Sequence, residues 1–207
     1  MKKALSTTQQ TQLWEAIKAV EQHSQVELVV VLRARSADYP DVAWLWGVLL
    51  AWLVFTYMLF APPLFTDEWL YAAPLLAFAI GYGLGRIPVL TRLGVNKARL
   101  QKHVEIMARA VFQKAGIHHT QAQIGVLVYV SCLEKIVYVL PDRGADLALP
   151  AAEWQALRAA MQSIFSTRQP LAALITEVTH SQAIFSRYLP PIAGDINELP
   201  DNLDVDL

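Results

Sequence analysis

The chain has 207 residues, a net charge of −1, a charged fraction of 17% and an apolar fraction of 55%. That length suits one domain, or one domain with an appendage, and the near-neutral balance argues against a general nucleic-acid binder. Cys132 is the single cysteine, which excludes an internal disulfide framework and a cysteine-based metal cluster.

The low charge comes from one stretch. Residues 36–85 contain no Lys or Arg, whereas the other roughly 150 residues have ordinary soluble composition and are enough to bury a core. Nothing near the start reads as a signal peptide, because Lys2 and Lys3 lead into the polar residues 6–12 where an apolar run would be needed.

In chain order, Ser6 and Gln9 form an S-x-x-Q capping box for an opening helix that sets Leu13, Ile17 and Val20 on one face. The β-branched run 26–32 predicts a central strand covered on both sides. Asp38-Tyr39 is a spacer or hinge before the membrane segment. Residues 42–60 are uncharged; as a helix they extend about 28 Å, close to the ~30 Å hydrocarbon thickness. A second segment, residues 69–85, is carried to about residue 88 or 90 if Arg86 snorkels, and its Pro74 and glycines are tolerated in membrane helices. Trp44, Trp46, Trp69 and Tyr71 stand near the ends, where amphipathic rings favour headgroups.

These features predict a two-helix transmembrane hairpin with spans at about 42–60 and 69–88. Arg33 and Arg35 precede the first span, while Arg86, Arg92, Lys97, Arg99 and Lys102 follow the second; the connecting loop carries only Asp67 and Glu68. The positive-inside rule then places both flanks, and both termini, in the cytoplasm, with the hairpin integral to the cytoplasmic (inner) membrane. Gly81-x-x-x-Gly85 reads as a small-residue membrane packing face rather than a nucleotide loop. Residues 86–114 hold seven bases and one acid, Glu105. Anionic lipid headgroups near 86–102 are the partner this implies, at roughly 1 kcal/mol per well-placed base.

Beyond the hairpin, Asn96 caps a helix with Leu100, Val104, Met107 and Val111 on one face, and Gly116 ends it. Residues 124–130 and 135–140 predict two strands joined tightly at 131–134 as an antiparallel hairpin. Pro150 opens a helix carrying Trp154, Leu157, Met161, Ile164 and Phe165. Pro170 opens the last, with Leu171, Leu174, Val178, Phe185 and Leu189 inward, and Pro190-Pro191 ends it. The tail 195–207, with five acids and no base, is expected to be flexible at its end. A lone strand before the hairpin cannot make a sheet. Residues 1–35 and 96–194 are therefore read as one discontinuous cytoplasmic domain, interrupted by a membrane insertion at 36–95 and followed by an acidic tail at 195–207.

Several landmarks together resemble the TPM-domain family: the opening helix before Val26-Glu27-Leu28-Val29-Val30-Val31, then Gly125-Val126-Leu127, Asp142-Arg143-Gly144 and Pro150-x-x-x-Trp154. Gly116-Ile117-His118 and Thr120 are similar to bacterial members with an inserted membrane hairpin. The resemblance implies an α/β fold, an α/β/α sandwich with parallel first and second strands. It also implies phosphatase activity, calcium binding or accessory roles in assembling or regulating membrane complexes. Where many secreted members carry an acidic residue and Asn, this chain has Gln121-Ala122-Gln123, a neutral oxygen where calcium favours carboxylate.

One polar constellation stands out. A hairpin of the second and third strands returns Asp142 and Arg143, with Gly144, beside the loop His118-His119-Thr120-Gln121, with Gln123 following as a further candidate. Arg143 and His118 could take an anionic group there and Asp142 a cationic one. The plainer alternative is a surface turn at Asp142-Arg143 with solvent-facing histidines. No metal cluster, G-x-S-x-G elbow or P-loop is present, and no cofactor is expected beyond the calcium of the resemblance.

The leading expectation is a noncatalytic accessory module that binds another membrane protein. Its rivals are a phosphatase-like enzyme using Asp142, Arg143 and His118, and a self-assembling structural protein, a homo-oligomer through Gly81 and Gly85.

Overall fold

The computed structural model describes residues 7–61, 65–120, 122–192 and 203–206. Contacts divide the chain into two units, residues 1–36 with 101–207 and residues 37–100. The Ser6 end of the expected capping box lies outside the described residues, as does Gln121.

The first unit is built on a sheet of order β3-β2-β1-β4, with β1 Glu27–Arg33, β2 Gly125–Ser131, β3 Ile136–Pro141 and β4 Leu203–Asp206. β1 and β2 run parallel from Glu27↔Gly125 to Arg33↔Ser131, while β2 and β3 are antiparallel from Val126↔Pro141 to Ser131↔Ile136. Every residue of β2 is buried, which explains its lack of polar alternation. Both faces of a central strand lie under other layers.

Those layers are visible in the packing. Leu28, Val30, Leu32, Val126, Val128 and Val130 point to one side. They share a core there with α1 (Thr7–His23), α7 (Ala151–Ser163) and α8 (Pro170–Tyr188) through Leu13, Ile17, Trp154, Met161, Val178 and Phe185. On the other side Val29, Val31, Leu127 and Tyr129 meet Val104, Ala108 and Phe112 of α5 (Lys97–Lys114). The result is a three-layer α/β arrangement. The buried stripe of α5 is Leu100, Val104, Ala108 and Phe112; of the expected face Leu100, Val104, Met107 and Val111, Val111 also packs against the core, partly buried, and Met107 turns away. Strict i+4 spacing turns the stripe past Met107, which is 37% exposed. Asn96 does cap this helix, its side-chain oxygen accepting from Ala98 N–H at 3.0 Å.

Two further elements depart from the sequence expectation. Asp142-Arg143 is not a surface turn: Asp142 is the N-cap of a short helix, α6 (Arg143–Ala148). The tail expected to be flexible at its end instead supplies β4, parallel to β1 from Val30↔Leu203 to Arg33↔Asp206. The four-residue alternation Leu203-Asp204-Val205-Asp206 is too short to stand out among the acids, yet it has the strand period.

The second unit contains α2 (Pro40–Phe60), α3 (Asp67–Gly85) and α4 (Pro88–Gly94). α2 is long and apolar enough to cross a membrane. It leaves most of its apolar side chains uncovered; Trp52 is 66% and Phe60 83% exposed. A soluble core helix would bury them. α3 reaches the same criterion only together with α4, from which it is bent by 94°. Its acidic first turn, two tyrosines and three glycines dilute its apolar character. The expected continuation to residues 88–90 is not made, because the helix stops at Gly85 and Pro88 starts another.

α2 and α3 pack closely. A Cβ on Gly81 would meet the Trp46 carbonyl at 2.5 Å, and one on Gly85 the Ala43 Cα at 2.7 Å. The Gly81-x-x-x-Gly85 face is thus taken up inside the chain, against the first helix of the pair. At the base of the unit Asp41 and Arg99 form a two-pronged ion pair, with Arg99 Nη2 donating to Asp41 Oδ1 at 3.1 Å, and the guanidinium lies 5.5 Å from the Tyr39 ring centre.

Candidate functional site

The residues singled out from the sequence gather at the N-terminal end of β2. Gly116, at φ +69°, turns the chain out of α5 into a 3₁₀ turn, Ile117–His119. Thr120 is buried; its hydroxyl accepts from Ile124 N–H at 3.1 Å and its carbonyl from Gln123 N–H at 3.0 Å. Gln123 takes a positive φ of 54°. Its carbonyl receives Gly144 N–H at 2.8 Å and Ala145 N–H at 3.2 Å, so the loop before β2 caps the start of α6. Gly144 is needed there, since a Cβ would collide with the carbonyls of Ala122 and Gln123.

Asp142, Gly144, Gln123 and Thr120 therefore form one braced turn. Asp142 Oδ1 accepts from Arg143 N–H at 2.8 Å, and Asp142 N–H reaches the Gly125 carbonyl at 2.8 Å. The Arg143 residue is exposed. His118 stacks toward Phe112, with ring centres 6.4 Å apart, and toward His119 at 4.0 Å. Two buried atoms here, His118 Nδ1 and Asp142 Oδ2, have no hydrogen-bond partner among the described residues.

Calcium does not fit this donor set. It favours six to eight oxygens, several of them carboxylate. The turn offers the neutral Gln123 and a single carboxylate, Asp142, whose Oδ1 is engaged in capping. No group of three or more His, Cys, Asp or Glu among the described residues could hold a metal.

A cavity of about 460 Å³ lies elsewhere, along edge strand β3. Arg109, Tyr138, Pro141, Asp146 and Arg158 are among its lining residues, and His118, Thr120, Asp142 and Arg143 are not. Arg109 is occupied by Glu105 at 2.9 Å.

Sequence reasoning missed a buried polar cluster at the opposite, C-terminal end of β1 and β2. Ser36 Oγ donates to Ser131 Oγ at 2.8 Å and lies 3.1 Å from Tyr129 Oη. Ser36 N–H donates to Glu134 Oε1 at 3.1 Å, and Ser131 Oγ donates to Glu134 Oε2. The Cys132 and Leu133 amides continue the lattice onto the Arg33 and Ala34 carbonyls at 3.0 and 2.9 Å. Ser36, Ser131 and Glu134 are 5%, 0% and 3% exposed. The cluster fixes the point where the chain leaves the sheet. Its one sequence signal was a Glu in a tight turn, which is ordinarily solvated. Burial raises the Tyr129 hydroxyl above its usual range, partly offset by the Ser36 hydrogen bond. Burial likewise pushes the Cys132 thiol up, which disfavours the thiolate a nucleophile needs.

The fold is similar to that of a solved structure. This is the NMR structure of the BA42 protein from the psychrophilic bacterium Bizionia argentinensis, with a TM-score of 0.62, 16% identity, and coverage of 99% of this chain and 97% of that one. No family model matches the chain, and no curated protein does. At this identity the likeness concerns the fold alone.

Proposed function

We propose that this chain is a membrane-anchored cytoplasmic accessory module that binds, assembles or regulates another membrane protein or complex. The observation that carries the reading is α2, uncharged over residues 42–60 and uncovered along most of its length, interrupting an α/β unit after its first strand. In water that surface would be an aggregation hazard; in a bilayer it is solvated.

α3 is the second span, antiparallel to α2 and matched to it through Gly81 and Gly85. The bases on both flanks and the acids in the connecting loop support cytoplasmic flanks in the cytoplasmic (inner) membrane, with anionic headgroups contacting residues 86–102. The TPM resemblance is compatible with the accessory role, which is linked to that family alongside phosphatase activity and calcium binding. At the polar turn Asp142 Oδ1 caps a helix and Oδ2 has no hydrogen-bond partner among the described residues, an arrangement compatible with recognition of a ligand group.

Crosslinking in native membranes, followed by mild detergent extraction and mass measurement, tests the role. A discrete complex containing a second polypeptide in fixed stoichiometry is expected. Recovery of the chain alone, crosslinked or not, contradicts it. The enzymatic rival predicts phosphate-ester hydrolysis by the pure protein, lost on Asp142→Asn with the fold intact.

A further inference from the structure

We infer that α4 is a membrane-surface foot: a short helix lying in the plane of the bilayer at the cytoplasmic side, with Ile87, Val89 and Leu93 set among the lipids. The inference rests on the proposed spans and adds a lipid-docking element that neither span supplies.

The turn between α3 and α4 is built rather than loose. Pro88 starts the helix, and Ile87 takes the extended backbone that a residue before proline requires, at φ −68° and ψ 129°. Breaking α3 frees carbonyls that hydrocarbon could not satisfy. The Thr91 hydroxyl reaches the Gly85 carbonyl at 2.8 Å and the Ile87 carbonyl at 3.1 Å, and Thr91 is itself buried. Trp46 Nε1 of α2 donates to the Leu90 carbonyl at 3.3 Å. Gly94 lies against Val42, leaving no room for a side chain. Three separate contacts thus hold α4 at 94° to α3.

With α3 near the membrane normal, that angle lays α4 along the surface; spans tilt by about 20° on average, so the helix stays close to the plane. Seven residues make about 10 Å of helix, far too short to cross. One edge faces the helix pair, with Thr91 on the Gly85 carbonyl of α3 and Gly94 against Val42 of α2. Another is bare: Val89 is 65% and Leu93 73% exposed, with Ile87 beside them at 44%. Cations mark the same level. Arg86 donates to Tyr82 Oη at 2.9 Å with its guanidinium 4.8 Å from the ring centre, and Arg92 sits on α4 itself. Apolar side chains beside guanidinium groups and a tyrosine are the pattern of a helix seated at the headgroup boundary.

The test uses the full chain with Cys132→Ser, or Cys132→Ala if the first variant folds poorly. Single cysteines are placed at Val89, Leu93, Leu53 of α2 and Thr176 of α8, and each is nitroxide-labelled. The protein is reconstituted alone into phosphatidylethanolamine–phosphatidylglycerol vesicles, and relaxation by oxygen is compared with relaxation by a water-soluble nickel chelate. The expected result is Leu53 deep, Thr176 aqueous, and Val89 and Leu93 lipid-exposed at shallow depth between them. Positions 89 and 93 in water with Leu53 deep would overturn the foot and leave the spans standing. Positions 89 and 93 shielded from both reagents would overturn it in favour of a protein-covered face. Leu53 in water would remove the spans, and the foot with them.

Discussion

The two units treat large apolar side chains in opposite ways. In the α/β unit Tyr129, Phe185, Leu127 and Leu13 are wholly enclosed, each between a strand and a helical layer. In the helical unit residues of the same kind stand outside, Trp52 and Phe60 among them, and the closely packed surface is made by glycines. Burial of apolar surface drives the first and close backbone approach the second, which is how helices associate where the solvent is itself apolar. One chain carries both solutions, as the proposed membrane insertion requires.

Truncating a large side chain in each region is the sharpest way to break this comparison. Phe185→Ala should cost about 3–5 kcal/mol in denaturant unfolding of the α/β unit. Trp52→Ala, which leaves no protein cavity behind, should cost under about 1 kcal/mol in lipid, within the range of exposed substitutions. Equal losses at the two sites would mean that α2 is a covered core helix. The converse substitution comes next: Leu53→Arg should raise the insertion free energy of α2 by about 2.5–3.5 kcal/mol in a glycosylation-based insertion assay. No change there would remove the bilayer from the account.

Smaller effects belong to the two ends of the sheet. Glu134→Ala strands the buried Ser36 amide and Ser131 hydroxyl, and should cost about 1–3 kcal/mol in thermal unfolding. Near-wild-type stability would show that water enters the cluster. Asp142→Ala removes a cap and should cost about 1 kcal/mol by the same measurement. A gain in stability would instead mark Asp142 as strained in place for binding.

Much of this was legible wherever periodicity is strong. The wholly apolar runs around Val29 and Val128 announced doubly covered strands, and the structure pairs them in parallel. Asn96, Gly116 and Pro150 stand at the helix boundaries their chemistry suggests. What escaped were short elements whose signal is tertiary. α6 exists because the Gln123 carbonyl receives its first amides, and β4 because an edge of β1 is open to it. α4 escaped because its apolar residues were read as a continuation of the span, when Pro88 ends that helix.

The candidate site was legible only in part. The approach of Asp142 and Gly144 to Gln123 follows from the strand hairpin, but the spending of Asp142 Oδ1 on a cap does not. The Ser36–Glu134 cluster joins residues 98 apart in sequence and left almost no local trace.

The central claim is that α2 and α3 cross a membrane with both flanks on the cytoplasmic side, and side-specific cysteine labelling tests it most directly. In a Cys132→Ser background, Asp67→Cys at the tip of the hairpin should react with a membrane-impermeant maleimide added to intact bacterial spheroplasts. Thr176→Cys in α8 should react only after the membrane is opened. If Asp67→Cys stays silent until lysis, or Thr176→Cys reacts from outside, the proposed topology is wrong.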